Sequence, residues 1–181
     1  MRKRRLLLAG AAAILAVGLG AVLLGTAQQQ AQAADPVSGQ HPFHMSTYEV
    51  VTSQAPSAEC PFLHVQVEGQ GTATHLGKVT VTRDHCFSPT NNPPIYNGSW
   101  EAVAANGDTI WGSYEGSLTP TAFDENNNPI RGAITAPFTI DGGSGRFEGA
   151  TGAGTIVAED YDLITNEADF ESEGWIEYSA K

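Results

Sequence analysis

Apolar and polar residues alternate with a period of two through most of the chain. In the segment Phe62–Gly69, for example, Leu63, Val65 and Val67 alternate with histidine, glutamine and glutamate. This pattern is typical of an antiparallel strand that has one face in the core and the other in water. About eight such segments follow one another, at residues 46–53, 62–69, 78–85, 96–104, 109–118, 133–140, 153–160 and 169–179.

Turn-forming residues separate these segments at regular intervals. Asn106-Gly107, between two alternating runs, predicts a hairpin with a type I′ turn, in which both central residues have positive φ. No window outside the N-terminus carries the apolar stripe of a helix. An all-β chain of about eight regularly spaced strands predicts an antiparallel sandwich or a closed barrel.

A glycine-rich segment, Thr139–Ile156, invites comparison with phosphate-binding loops. Its third glycine comes one residue too late for the dinucleotide motif, and the residues that follow alternate instead of forming a helix. We therefore expect a strand that ends at Ile140, a turn at Asp141–Gly145 with positive φ at its glycines, and a strand that carries Phe147.

The N-terminus has the layout of an export signal. Four cations at residues 2–5 precede an apolar run from Leu6 to Leu24, and small residues follow, which predicts a signal peptide of residues 1–33 cleaved after Ala33. The nineteen-residue run also fits an uncleaved membrane anchor, which is the less favoured alternative. Residues 34–43 lack an apolar period and are expected to be a disordered leader, followed by one barrel domain of residues 44–181.

Charge limits the partners of the exported protein. Without the signal peptide, five lysines and arginines remain against twenty acidic residues, a net charge of −15. Such a surface repels polyanions, because binding to phosphate requires clustered cations. We therefore expect no nucleic-acid partner and, after cleavage of the signal, no association with a membrane.

Two cysteines, Cys60 and Cys86, predict one disulfide, because paired cysteines in an exported protein are usually oxidised. Two registers of the first long hairpin are compatible with the bond. A hairpin centred on Ala73 would place the two thiols directly opposite each other. A turn at Leu76–Gly77 would instead require Cys60 to reach Cys86 from a folded-back loop.

Metal and cofactor motifs are weak. The segment Asp124–Asn128 begins like a calcium loop, but Pro129 and Thr135 occupy the positions that require glycine and glutamate. The sequence lacks a G-x-S-x-G motif, and no cofactor and no metal is expected. Strands impose no ligand spacing on the histidines, so solvent-facing side chains are favoured over a zinc site for His41, His44, His64, His75 and His85.

Three segments resemble a known group of proteins: Gly69–Thr82, Trp100–Pro120 and Phe138–Ile156. Together they are similar to small exported actinobacterial proteins that are largely uncharacterised. The third also resembles the glycine-rich segment of dirigent proteins and allene oxide cyclases, with Ser144 where the pattern has threonine. The resemblance implies an eight-stranded calycin-like barrel, and dirigent proteins and allene oxide cyclases act on small molecules inside such barrels.

A small apolar ligand is the expected partner, bound or shielded by a secreted barrel without catalysis. An eight-stranded barrel has room for packed side chains or for one small ligand. Four aromatic residues share strand faces with glycine and alanine, which would leave space between them; alternatively, they fill the core. With two polar residues, they are the candidate ligand-binding set: Tyr96, Trp100, Tyr114, Phe138, His64 and Arg83.

Catalysis is the alternative function that the resemblance implies. The reaction would be a cyclisation or isomerisation of a small hydrophobic substrate inside the barrel. The polar groups available at the barrel mouth would be His64, Glu68, Arg83 or Tyr114.

Overall fold

The computed structural model describes residues 39–179, so the predicted signal peptide lies outside the described residues. Eight long strands, one two-residue strand and one 3₁₀ turn make up the fold. The strands are β1 (Gln40–Ala55), β2 (Leu63–Ala73), β3 (Gly77–Phe87), β4 (Ile95–Ala104), β5 (Thr109–Phe123), β6 (Pro129–Ile140), β7 (Gly142–Gly143), β8 (Thr151–Asp162) and β9 (Glu167–Glu177), and the 3₁₀ turn is Gly145–Phe147.

The eight long strands form a closed antiparallel barrel, as the alternation predicts. Each long strand pairs with the next along the chain, and β9 returns to pair with β1. The short strand β7 pairs with β5 beside β6. Closure satisfies the backbone groups that an open sheet would expose at its edges. Within residues 39–179, no helix has the length and apolar character needed to cross a membrane.

Strand β1 starts at Gln40, four residues before the predicted domain boundary. Its pairing with β9 begins at Gln40 opposite Glu177 and continues without interruption to Val50. Phe43 is 2% exposed and packs against Phe138, with ring centroids 5.9 Å apart. The end of the predicted leader is therefore ordered, because one aromatic anchor and the pairing with β9 compensate for its lack of an apolar period.

The disulfide between Cys60 and Cys86 is present, which confirms the pairing. The hairpin of β2 and β3 is not centred on Ala73, because Cys86 lies opposite His64 and the strands turn through residues 74–76. His75 in this turn has a φ of 67°. Cys60 consequently reaches its partner from the loop between β1 and β2, which folds back toward β3.

The hairpin at Asn106-Gly107 forms, but the predicted type I′ turn is wrong. Gly107 has a φ of 87°, whereas Asn106 is not among the described residues with positive φ. The loop is longer than a two-residue turn: the Ala104 N–H donates to the Asp108 carbonyl, and the Gly107 N–H donates to the Ala104 carbonyl. One glycine in the left-handed region is sufficient for this loop.

The middle of the glycine-rich segment, residues 141–150, lies across one end of the barrel. Phe147 belongs to the 3₁₀ turn, not to a strand as predicted, and it is completely buried. Positive φ occurs at Gly145 and Gly149, whereas Gly142 and Gly143 form β7. A Cβ atom on Gly142 would come within 2.6 Å of the Trp111 ring, so glycine is needed there for close approach.

The two ends of the barrel differ. We call the end with the turns 74–76, 105–108 and 141–150 the closed end, and the end with the loops 56–62, 88–94, 124–128 and 163–166 the open end. At the closed end, Phe147 packs against Tyr178, with ring centroids 4.8 Å apart, and buried Leu76 lies in the same core. Side chains therefore fill the interior of the closed half.

Removal of the disulfide is expected to destabilise the barrel by about 3.5 kcal/mol. The bond joins residues that are 26 positions apart in the sequence. Closing a loop of this length lowers the entropy of the unfolded chain, which accounts for the expected loss of stability. The measurement is denaturant unfolding of a variant with Cys60→Ser and Cys86→Ser against the parent protein. An unchanged midpoint, or free thiols in the purified parent protein, would contradict the assignment.

Candidate functional site

A cavity of about 140 Å³ occupies the open half of the barrel. All eight long strands contribute side chains to its wall, and most of them are apolar. The volume is close to that of an engineered apolar cavity of about 150 Å³ that binds benzene. The apolar wall includes Val65, Val67, Leu118, Ala136, Ile156 and Phe170.

A buried ion pair, Glu49–Arg83, lines this cavity. Nε of Arg83 donates to Oε2 of Glu49 at 2.8 Å, and Nη2 donates to Oε1 at 2.9 Å. Arg83 is 5% exposed and Glu49 is 1% exposed. Burial is the largest single effect on the pKa of Arg83 and lowers it, but the attraction of the Glu49 carboxylate and the hydrogen bonds to it together outweigh burial, so the pKa is raised. The guanidinium therefore stays charged and is held by a bidentate contact.

The strand pairing explains how the two charges meet. Glu49 on β1 and Arg83 on β3 both face inward, and β2 lies between their strands. Gly69 of β2 lies opposite Glu49, and a Cβ atom at this position would come within 2.5 Å of Glu49 Cγ. The missing side chain on β2 leaves the room that the glutamate side chain needs to reach the arginine.

Other side chains hold the pair in place. The Thr47 hydroxyl donates to Oε1 of Glu49 at 2.7 Å. The guanidinium carbon of Arg83 lies 5.8 Å from the ring centroids of both Tyr114 and Phe170. Aromatic faces attract a guanidinium at this distance, and the attraction is stronger away from water.

One nitrogen of the guanidinium makes no hydrogen bond to the described residues. Nη1 of Arg83 is buried and has no hydrogen-bond partner among the residues that the structure describes. Buried polar atoms in proteins are nearly always hydrogen bonded, so each exception calls for an explanation.

A second polar pair, His85 and Tyr114, lies in the same wall. Nδ1 of His85 and the Tyr114 hydroxyl are 2.7 Å apart. Burial lowers the pKa of His85 to about 4, although the neighbouring Asp84 opposes the shift. Burial also raises the pKa of Tyr114. Both groups are therefore neutral at neutral pH, and the hydrogen bond between them places no further charge in the cavity.

Tyr161 and Asn166 contribute further polar groups to the cavity wall. The Tyr161 hydroxyl donates to Oδ1 of Asn166 at 3.3 Å, and burial raises the pKa of Tyr161 to about 12. This tyrosine is half-buried and Asn166 lies in the loop between β8 and β9. The hydroxyl stays protonated, so the residues here offer hydrogen bonds without charge.

Two of the predicted ligand-binding residues, Arg83 and Tyr114, line the cavity. Two others, Trp100 and Phe138, fill the barrel beyond it. Their rings lie at 89° with centroids 5.6 Å apart, and Nε1 of Trp100 donates to the Thr139 carbonyl at 3.1 Å. The sequence left open whether the four aromatic candidates bind a ligand or fill the core, and these two residues fill the core.

Tyr96 and His64 do not line the cavity. A bulge in the pairing of β4 with β5 between Ile95 and Gly98, with a φ of 52° at Asn97, breaks the alternation, and Ile95 lines the cavity instead. Nε2 of His64 lies 2.8 Å from both carboxylate oxygens of Asp84.

Glu68, named for catalysis, is exposed. It lines a shallow groove that also includes Asp84, Glu101 and the partly exposed Trp111, apart from the barrel cavity. Its position on β2 is between the inward-facing Val67 and Gly69, so the alternation turns it outward.

Five polar residues of the cavity wall were missed as candidates: Glu49, Gln54, His85, Tyr161 and Asn166. For His85, a sequence signal exists. Continuing the alternation of Val79 and Val81 along β3 places Arg83 and His85 on the inner face. A polar residue that falls in an otherwise apolar register is therefore a candidate for a cavity.

The other histidines, which lie within residues 39–179, contact aromatic rings or acidic side chains. His41 and His75 pack with Tyr178, with ring centroids 5.5 to 5.7 Å apart. In residues 39–179, no three His, Cys, Asp or Glu side chains are grouped so that they could hold a metal ion. Asp124 accepts the backbone N–H groups of Asn126 and Asn128, which makes the calcium-like segment a polar turn.

Comparison of the chain with known proteins found no matching family model, no matching curated protein and no matching solved structure.

The pH dependence of stability is expected to report the burial of His85. The unfolded chain protonates this histidine near pH 6.5 and the folded protein only near pH 4, so the unfolded state binds more protons between these values. Stability is therefore complete above pH 6.5 and falls as the pH drops toward 4, by roughly 3 kcal/mol from this group.

The variant His85→Gln isolates this contribution, because the acidic residues titrate in both proteins. Denaturant unfolding at pH 7, 5.5 and 4 should show that the free energy of unfolding falls more steeply in the parent protein than in the variant. Equal slopes in the two proteins would contradict the assignment of a neutral, buried imidazole.

Proposed function

We propose that the protein is a secreted binding protein that holds a small apolar molecule in the open half of its barrel. The observation that carries the proposal is the cavity of about 140 Å³, with its largely apolar wall and a few polar groups. Ligand sites in proteins commonly combine an apolar lining with a small number of fixed polar groups. Filling the closed half with Phe43, Trp100 and Phe138 confines the ligand to one place.

The size of the cavity sets the expected affinity. A ligand of six or seven heavy atoms has about 250 Å² of apolar surface, whose burial contributes roughly 6 kcal/mol before the cost of association. Since roughly 6 kcal/mol corresponds to about 40 μM before the cost of association is subtracted, dissociation constants near millimolar are expected for such a small molecule. A larger ligand would extend past Leu163 and Asn166, which belong to both the cavity wall and an open-end loop.

Two further features support the proposal, one for secretion and one for a relationship to calycin-like barrels. The Cys60–Cys86 disulfide is compatible with an oxidising compartment. The segments Gly69–Thr82, Trp100–Pro120 and Phe138–Ile156 resemble exported calycin-like barrels of the dirigent and allene oxide cyclase type. Since a barrel fold does not determine a function, the cavity and not the resemblance carries the proposal of binding.

A substitution that fills the cavity is expected to abolish binding. Ala136 lines the cavity and is 1% exposed, so Ala136→Leu places a larger side chain in the ligand volume. Ala105→Leu makes the same change at an exposed position in a closed-end turn and serves as the matched control. Benzene binding, followed by NMR titration, should be lost in the first variant and kept in the second.

Native mass spectrometry of the protein from its natural host provides the second readout. A small apolar molecule should accompany the parent protein and the Ala105→Leu control, but not the cavity-filled variant. A parent protein that carries no molecule and that also shows no benzene binding would rule out the proposed function. Circular dichroism of each variant establishes that the barrel has folded.

Isomerisation is the second candidate function, favoured by the neutral His85–Tyr114 pair beside Arg83 in a largely apolar cavity. Histidine and tyrosine can each move a proton, and the neutral imidazole of His85 has a free electron pair that can accept one, although its lowered pKa makes it a weaker base than a solvent-exposed histidine. A cyclisation or double-bond shift redistributes the bonds of one molecule, so it needs no oxidant or second reactant. Arg83 would stabilise negative charge that develops on a substrate oxygen.

An isomerase is expected to convert one compound into another of identical mass. Extracts of the natural host, incubated with the protein, should show one chromatographic peak falling while a second peak of equal mass rises. His85→Gln should stop this conversion without loss of benzene binding. If the parent protein changes no pair of equal-mass peaks in these extracts, isomerisation is excluded and binding without catalysis remains as the function.

A further inference from the structure

The unused donor of Arg83 has the properties of a ligand-binding group. A guanidinium has five N–H donors in a planar fork, and only the Nε and Nη2 edge of Arg83 faces the Glu49 carboxylate. Nη1 has no partner in the described part of the chain, and it belongs to a side chain that is 4% exposed and lines the cavity. Nη1 itself is covered, so a ligand oxygen reaches it when the neighbouring side chains of the cavity wall move aside. A buried donor without an acceptor lowers stability, and an acceptor oxygen on a ligand would remove that cost.

We propose that the cavity selects ligands that carry an uncharged acceptor oxygen, such as the carbonyl of a ketone, lactone or amide, which accepts a hydrogen bond from Nη1 of Arg83. This inference rests on the proposed function and adds the chemical class of the ligand. The apolar wall receives the hydrocarbon part of the molecule, and the guanidinium receives its oxygen.

The charge balance of the cavity selects against anions. Glu49 already neutralises Arg83 through a bidentate contact, so a carboxylate or phosphate on the ligand would bring an unbalanced negative charge into an apolar space. His85 supplies no compensating charge at neutral pH, because burial keeps its imidazole neutral. An uncharged oxygen needs no counter-charge.

The same balance selects against cations. Both carboxylate oxygens of Glu49 accept hydrogen bonds, Oε1 from Arg83 and Thr47 and Oε2 from Arg83. An ammonium group on the ligand would have to displace Arg83 from this contact. Its charge would then lie beside the guanidinium, which is unfavourable in a space of low dielectric constant.

The donor is also fixed in orientation. The bidentate contact with Glu49 sets the plane of the guanidinium, and the rings of Tyr114 and Phe170 lie 5.8 Å from its central carbon. A donor held in this way loses little conformational freedom when a ligand binds, so the hydrogen bond contributes more to affinity.

Two molecules of the same shape test the inference. Cyclohexanone and methylenecyclohexane differ in having an oxygen or a CH₂ group at the same position, and both are close to benzene in size. Dissociation constants are measured by NMR titration at pH 7 for the parent protein and for the double variant Glu49→Met/Arg83→Met. Comparing the ratio of the two constants between proteins cancels the difference in hydration of the two molecules.

The preference for the ketone over the hydrocarbon should fall at least tenfold in the double variant, because a hydrogen bond from a charged group to the ligand is lost. The variant Arg131→Met, which removes an arginine from the outer surface beside Asp160 and Asp162, should keep the ratio of the parent protein. A ratio that is the same in all three proteins would overturn the inference and leave the proposed function intact.

A matched pair of larger probes tests the charge argument. Cyclohexanecarboxamide should bind the parent protein at least tenfold more tightly than cyclohexanecarboxylate, which has the same shape and a negative charge. Equal or tighter binding of the carboxylate would overturn the inference. If no probe binds the parent protein, and Ala136→Leu changes nothing, the proposed function fails as well.

The double variant is expected to fold, since apolar side chains of similar volume commonly replace buried ion pairs without loss of stability. A second measurement on the parent protein needs no substitution. The NMR signals of the Arg83 guanidinium protons should shift when cyclohexanone is added and stay in place with methylenecyclohexane. Identical responses to the two molecules would contradict a hydrogen bond at Nη1.

Discussion

The open half of the barrel depends on the ion pair between Glu49 and Arg83. Two opposite charges that lie this deep in a protein must be paired, because a lone charge in an apolar surrounding is very unfavourable. The pair spans β2, and Gly69 on that strand provides the space in which the two side chains meet. Thr47 and two aromatic rings then fix its orientation. This arrangement leaves Nη1 of Arg83 without an acceptor among residues 39–179.

The two halves of the interior differ because their side chains differ. In the closed half, Trp100, Phe138 and Phe43 pack edge to face, and Phe147 seals the end. In the open half, polar and charged groups occupy positions where apolar side chains would otherwise interdigitate. Their hydrogen bonds require particular distances and directions, so they cannot adjust to fill every space. A cavity beside them is the consequence, and we attribute its selectivity to the same groups.

Much of the fold could be predicted from the sequence, because the alternation of apolar and polar residues is a local property of each strand. The details that failed depend on tertiary contacts. The bulge at Ile95–Gly98 turns Tyr96 away from the cavity, and the ordered strand at Gln40 depends on pairing with the far end of the chain. The candidates Arg83 and Tyr114 line the cavity, whereas Glu49 was not a candidate, because the role of a polar residue on an inner face depends on its neighbours across the sheet.

The central claim is that the Glu49–Arg83 pair presents one hydrogen-bond donor to a ligand in a largely apolar cavity. The most direct test is a crystal structure of the protein with bound cyclohexanone. The account predicts that the ketone lies in the open half of the barrel, with its oxygen about 2.7–3.2 Å from Nη1 of Arg83. A ketone bound elsewhere, or one whose oxygen points away from Arg83 toward solvent, would contradict the account.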